Sequence, residues 1–443
     1  MVLCLCMLVC TVYAVDDATT TWLGTSGNGL SVGGVTVTAE NADSITGDGI
    51  TGAVSFAVVD GTPTLTLNNA SITGGTPVSQ GNKYMYPIYY NGSNGLKLVL
   101  KGTNNINATP TTEAPDTFGI YMGEGKGQLT LSGDADSVLT INSTNAGLYI
   151  YEGITIEGGA YHITSGEGYG SSEFGKAFYS CGPITIQNAN VTAKGTNASG
   201  IYSDDYEYGF RIINSTVTAI GGSTSDEYPH DGIYSTIQLD ISNSKVTAQG
   251  GSHGIYVQHY GGINISGKDT VVKAISTGDQ SAAIYLRYSN FYYGYISLND
   301  DLAILEPSDG KQVYYNSDDY NEAGYTIVGS EDTPAKAVTI AYGHNWQLIE
   351  EVPATKTTTG MKEHYCCSCG QLAIMEGDSY TIVEEADLII PVKESSIVVI
   401  APATPAQPEP NPATGTQDGI SAAVALAVIS ALGIMALSRK KIS

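Results

Sequence analysis

The chain has 443 residues, of which 14% are charged and 53 are glycine, a composition that excludes a long helical or coiled-coil protein. Lys and Arg total 19 against 44 Asp and Glu, and a net charge of -25 repels phosphate backbones, so no nucleic-acid partner is expected. Apolar residues at 42% suffice for a core, and 30 tyrosines against 6 phenylalanines favour rings with one wet edge, so many exposed tyrosines are expected.

Residues 2–12 form an uncharged apolar run ending in Val12-Tyr13-Ala14, whose small residues at the first and third places suit a signal peptidase. Residues 1–14 therefore read as a signal peptide and the protein as extracellular. Cys4, Cys6 and Cys10 fall in that segment. The remaining Cys181, Cys366, Cys367 and Cys369 are too few for a disulfide-stapled scaffold.

The middle of the chain is a repeat. An Ile/Leu/Phe-Tyr pair recurs at Ile88-Tyr89, Ile120-Tyr121, Leu148-Tyr149, Phe178-Tyr179, Ile201-Tyr202, Ile233-Tyr234, Ile255-Tyr256 and Ile284-Tyr285, at intervals of 22 to 32 residues. Between pairs comes a short strand such as Ile184-Thr185-Ile186, a turn at Asn188, then Val191-Thr192-Ala193 and a glycine. Asn214 precedes Val217-Thr218-Ala219 in the same way, and Asn243 precedes Val246-Thr247-Ala248. Short β-branched strands broken by Asn and Gly predict an all-β solenoid with about three strands per coil, its longer steps carrying loop insertions.

Alternation assigns the faces. Two residues after the Ile or Leu come Met122, Ile150, Val257 and Leu286, so the Ile side points into the core and each tyrosine points out. Tyr121, Tyr149, Tyr179, Tyr202, Tyr234, Tyr256 and Tyr285 would then form an external aromatic row, stepping about 4.8 Å per coil. Asn188, Asn214 and Asn243 share one turn position, where Asn tolerates the left-handed conformation and can hydrogen-bond between coils.

The repeat, with Thr64-Leu65-Thr66-Leu67-Asn68-Asn69 and Leu100-Lys101-Gly102-Thr103-Asn104, resembles the carbohydrate-binding β-helix family of bacterial surface proteins, related in fold to right-handed β-helix pectate lyases. The resemblance covers residues 21–341 and implies a right-handed parallel β-helix that binds plant or cell-wall polysaccharide. It also admits acidic glycans bridged by calcium.

Candidate sites follow from this frame. The tyrosine row is either a sugar platform or a ladder that stabilises coil stacking. Asp204, Asp205 and Glu207 beside Tyr206 and Tyr208, and Asp226, Glu227, His230 and Asp231 beside Tyr228, are loop clusters that could hold calcium or could be solvated loop tips. A glycoside hydrolase would need two carboxylates across the scissile bond, for instance Asp204 with Asp231. A lyase would need a base near a metal, yet Lys194, Arg211, Lys245, Lys268, Lys273 and Arg287 share no motif. No catalytic residue is assigned, and binding without catalysis is preferred.

From residue 342 the pattern changes. The segment 342–400, with His344-Asn345-Trp346 and Tyr365-Cys366-Cys367-Ser368-Cys369-Gly370, resembles a small cysteine-containing module of bacterial surface proteins. Cys366 and Cys369 have the gap of a zinc half-site, to which His344 or His364 could add ligands, but a redox pair, a disulfide or inert thiols together outweigh zinc. A Pro-rich linker over 401–410 follows, then Asn411-Pro412-Ala413-Thr414-Gly415, an apolar run over 420–437 and a basic tail. This order resembles the cell-wall sorting signal of Gram-positive surface proteins, in which a sortase attacks the carbonyl of Thr414. It implies a membrane-bound precursor with an apolar anchor helix over 420–437, sortase and peptidoglycan as partners, and a wall-anchored product. The expected function is a surface polysaccharide-binding protein, with a β-helix lyase or hydrolase and an adhesin for host protein or glycoprotein as alternatives.

Overall fold

The structure is a computed structural model that describes residues 29–392 apart from 81, 108–109, 113, 167–174, 224–229, 259–260, 280, 288–293, 318–321, 368–370 and 378. Of the chain's two compact units, Met1–Val392 holds everything described, and Lys393–Ser443 lies outside the described residues.

Three parallel faces build a right-handed β-solenoid with small antiparallel sheets after it. The first face stacks Ile88–Tyr90, Asp116–Met122, Ala146–Ile150, Phe178–Ser180, Ile201–Ser203, Ile233–Ser235, Ile255–Val257 and Ile284–Arg287 in register, so that each Ile-Tyr pair lies on the next. The second stacks Leu96–Lys101, Leu129–Gly133, Ile154–Glu157, Ile184–Gln187, Phe210–Ile213, Leu239–Ser242, Ile263–Ser266 and Ile296–Leu298. The third runs from Thr103–Asn107 through Val138–Ser143, Ala160–Ser165, Asn190–Gly195, Thr216–Ile220 and Lys245–Gly250 to Val271–Ser276.

Period-two alternation decides what each strand buries. On the second face Ile184, Ile186, Phe210, Ile212, Leu239 and Ile241 are sealed in the core. On the third, Val191, Ala193, Val217, Ala219, Val246 and Ala248 fill the opposite wall. The same β-branched residues that favour an extended backbone thus supply the apolar filling.

The corner between these two faces turns on Asn69, Asn188, Asn214 and Asn243, at φ of 47°, 52°, 48° and 46°. This is the left-handed region that Asn tolerates and most residues avoid. At the first corner Asn69 Oδ1 accepts the Thr103 amide at 3.1 Å, whereas in the later coils the hydrogen bonds between corners come mainly from Ser and Thr hydroxyls. Ser215 Oγ accepts from the Ala189 amide at 3.1 Å, Ser244 Oγ from the Ser215 amide at 3.0 Å, and Thr270 Oγ1 from the Ser244 amide at 3.3 Å. Asn214 reaches Asn188 only at 3.5 Å.

Antiparallel strands cover both ends of the solenoid, as an open stack of strand edges would otherwise pair with other chains. Leu30–Val32 lies on Ile88–Tyr90, and Ile50–Val59 lies on Thr62–Ile72. At the far end Glu322–Val328 covers Ile284–Arg287, and Ala337–Tyr342 covers Val271–Ser276. A four-stranded antiparallel sheet follows, formed by Trp346–Ile349, His364–Cys367, Leu372–Glu376 and Ser379–Val383.

One part of the expected architecture is corrected. Among the described residues no helix is long and apolar enough to cross a membrane. Their helix, Glu385–Leu388, has four residues, about 6 Å of rise against a bilayer core of about 30 Å. The apolar runs of the solenoid strands last only a few residues before a polar residue or a turn ends them, so its strands offer no such span. The apolar anchor helix is therefore no element of the observed fold, and the membrane contact, membrane-bound precursor and wall anchoring that rested on it are withdrawn. Residues 420–437, like the signal segment 1–14 and the linker 401–410, lie outside the described residues.

Candidate functional site

The tyrosine row is continuous and closed. Ring centroids are 5.8 Å apart from Tyr89 to Tyr121, 5.3 Å from Tyr121 to Tyr149, 4.7 Å from Tyr149 to Tyr179 and 5.7 Å from Tyr179 to Tyr202. The row continues at 4.1 Å from Tyr202 to Tyr234, 5.5 Å to Tyr256 and 6.0 Å to Tyr285, every step stacked. A pyranose needs a free aromatic face, and here the neighbouring ring occupies it. A flanking row seals the ladder further. Phe118 packs edge-on to Tyr121 and Tyr149, Lys176 Nζ sits 5.0 Å from the Tyr179 ring and 4.4 Å from the Tyr202 ring, and His253 stacks on Tyr256 at 4.9 Å and on Tyr285 at 5.6 Å. Tyr179, Tyr234 and Tyr285 are buried, and Tyr121, Tyr149, Tyr202 and Tyr256 are half-buried. Desolvation, with Asp204 next, drives the Tyr202 hydroxyl far above its ordinary pKa; desolvation, with Tyr202 next, does the same to Tyr234.

The acidic clusters divide into residues with different partners. Asp205 is buried and accepts the backbone amides of Glu207 at 3.2 Å and Tyr208 at 2.6 Å, and that of Gly209 as well. It shapes the turn 205–209. Asp204 accepts from the Thr236 hydroxyl at 3.0 Å. Asp231 is fully buried, with Oδ1 against His253 Nδ1 at 2.9 Å, which withdraws it from any substrate that Asp204 could meet. Asp226 and Glu227 lie outside the described residues, among which no group of three or more His, Cys, Asp or Glu is placed to hold a metal.

The turn that Asp205 closes lifts Tyr206 and Tyr208 into solvent, each 61% exposed. Tyr208 stands over a cleft of about 340 Å³ on the second face, lined also by Gln128, Thr155, Pro183, Thr185, Gly209 and Arg211. Gly209, at φ 75°, is required there, since a Cβ would meet the Gln238 carbonyl at 2.9 Å. Thr155, Thr185, Arg211, Asp240 and Asn264 are in-register neighbours on successive coils, all facing outward. Glu207, hydrogen-bonded to the Tyr208 hydroxyl, raises the pKa of that group. Sequence reasoning named Tyr208 only as a neighbour of acids and Arg211 only as a scattered base. The available signal was the outward place of Arg211 in Phe210-Arg211-Ile212, directly after an insertion.

The C-terminal sheet places His364 and Cys366 two residues apart on one strand. His364 is buried with Nδ1 at 2.8 Å from the Lys362 carbonyl, whereas His344 stacks on Trp346 at 4.6 Å. Burial, with Cys367 next, raises the Cys366 thiol and so holds it protonated. Cys369 lies outside the described residues, as do Asn411, Pro412, Ala413, Thr414 and Gly415.

No protein-family model matches the chain, and no curated protein or solved structure matches it either. The likeness rests on architecture: a β-solenoid consistent with carbohydrate-binding β-helix proteins in general.

Proposed function

We propose that the protein binds polysaccharide along the second face of the solenoid, with the Tyr208 cleft as its central subsite. The observation that carries this is an aromatic ring with open faces beside a coil-spaced row of polar side chains. Tyr208 offers an apolar face for a sugar ring, while Gln128, Thr155 and Thr185 offer donors and acceptors to its hydroxyls. A coil rise of about 4.8 Å is close to a sugar repeat, so successive coils can follow an extended polymer.

Binding without bond cleavage suits these residues best. The proposed site contains no pair of opposed carboxylates, and Asp231, the acid that could have paired with Asp204, is buried on His253. Retention of the full chain on a panel of soluble and insoluble polysaccharides, with and without calcium, tests the reading while the supernatant is assayed for released sugar. Retention that Tyr208→Ala removes, with no sugar released, is expected. Retention equal in wild type and Tyr208→Ala would move the site elsewhere, and release would make the protein an enzyme. Dependence on calcium would bring the acidic loops back as bridging groups.

A further inference from the structure

We propose that the cleft recognises a carboxylate-bearing sugar and that Arg211 reads the carboxylate directly, without a bridging metal; this rests on the polysaccharide reading above. In a chain with 44 acidic and 19 basic residues, an outward guanidinium would be expected to find a carboxylate of its own. Arg211 has none among the described residues. Its in-register neighbour Asp240 is taken, accepting from Gln238 Nε2 at 2.8 Å on both oxygens and from Asn264 Nδ2 at 2.7 Å. On the other side stands neutral Thr185. Asp205, the buried acid of the adjoining turn, is spent on backbone amides.

Asp240 and Asp205 thus already hold hydrogen-bond donors, no ion pair joins Arg211 to a carboxylate among the described residues, and the fork of Arg211 lines a cleft with a stacking ring and hydroxyl-binding groups. A guanidinium presents paired donors that match the two oxygens of a carboxylate, and it does so in one plane. A uronic acid combines what the cleft offers: a ring for Tyr208, hydroxyls for Gln128, Thr155 and Thr185, and one carboxylate for Arg211. The net charge of -25 does not forbid this. Charges farther than a Debye length, about 8 Å at physiological ionic strength, are largely screened, so the local pair decides affinity while the distant field slows association.

The test is affinity electrophoresis of the full chain in EDTA against polygalacturonate, alginate and hyaluronan, each beside its carboxyl-reduced form. At least one acidic polymer should bind about tenfold more tightly than its reduced partner, as one charge-assisted contact provides. Arg211→Gln should erase that preference, Arg211→Lys should restore part of it, and Tyr208→Ala should weaken both members of the pair alike. Arg211 is exposed, so unchanged melting temperatures should accompany the first two variants. Equal binding of each pair by wild type, or equal weakening of both by Arg211→Gln, overturns carboxylate recognition. The polysaccharide reading survives that result if Tyr208→Ala still lowers both. A preference that EDTA removes and calcium restores also overturns the direct contact, and binding of no polymer overturns both readings.

Discussion

The first and second faces of the solenoid place side chains outward at the same interval, yet one row is closed and the other is open. On the first face the outward residue is tyrosine in coil after coil. Identical rings one coil apart satisfy one another, so their faces are consumed within the molecule. On the second face the outward residue changes from Thr155 to Thr185, Arg211, Asp240 and Asn264, and although Asn264 donates to Asp240, the unlike side chains form no continuous stack. Repetition therefore builds stability and its interruption leaves chemistry available. An aromatic row on a solenoid is a poor pointer to a sugar site unless something keeps the rings apart.

The largest effect expected from this contrast is collective. Desolvation first, then neighbouring charges, raises the hydroxyl pKa of Tyr202, Tyr234, Tyr161 and Tyr86, and desolvation pushes Tyr90 up to about 12. The folded state holds these protons where the unfolded chain releases them. Their contribution is fully present below the ordinary tyrosine value of 10.0 and is lost as pH rises from there through the folded values. Alkaline titration should show delayed tyrosinate absorbance that appears together with loss of β-sheet signal. Early ionisation of the row, with the fold intact, would show that the ladder is open to solvent.

Single substitutions rank below that. Tyr234 is 4% exposed and stacked on both sides, so Tyr234→Ala should cost about 3 kcal/mol in a urea titration and leave the folded fraction able to bind glycan. Unchanged stability with lost glycan retention would restore the ladder as a binding platform. Asp205→Ala strips an acceptor from the amides of Glu207, Tyr208 and Gly209 and should cost about 2 kcal/mol. It should also weaken glycan retention through the displaced Tyr208, which no ladder variant should do. Smallest is the corner at φ 46°, where Asn243→Ala should cost about 1 kcal/mol and Asn243→Gly close to nothing by thermal melting. A larger loss on Asn243→Gly than on Asn243→Ala would mean that the Asn side chain, not its backbone angle, holds the corner.

Much of this architecture was legible in the residues because a coil is a local pattern. Alternation at Ile184-Thr185-Ile186 and the recurring Ile-Tyr pair needed no knowledge of distant contacts. Asn188, Asn214 and Asn243 marked the corners for the same reason, since a left-handed residue is a property of one position. The hydroxyl ladder through Ser215, Ser244 and Thr270 was less visible, because a serine beside an asparagine looks like ordinary turn chemistry until the coils are superposed. The apolar run at 420–437 suggested an anchor from hydropathy alone, whereas the described chain supplies no spanning helix.

By itself the sequence determined an all-β repeat, the length of its coils, which residue of each strand faces the core and where the chain turns. These follow from side-chain period and backbone preference, which act over a few residues. Only the tertiary structure decided which outward residues meet. It set Tyr202 on Tyr234 with no face left for a sugar, buried Asp231 against His253, and spent Asp205 on the turn beneath Tyr208. It also occupied Asp240 with Gln238 and Asn264, leaving Arg211 unpaired among the described residues beside the Tyr208 cleft. Whether a side chain is a strut or a site depends on what fills the few ångströms around it, and those neighbours come from other coils through insertions of unequal length.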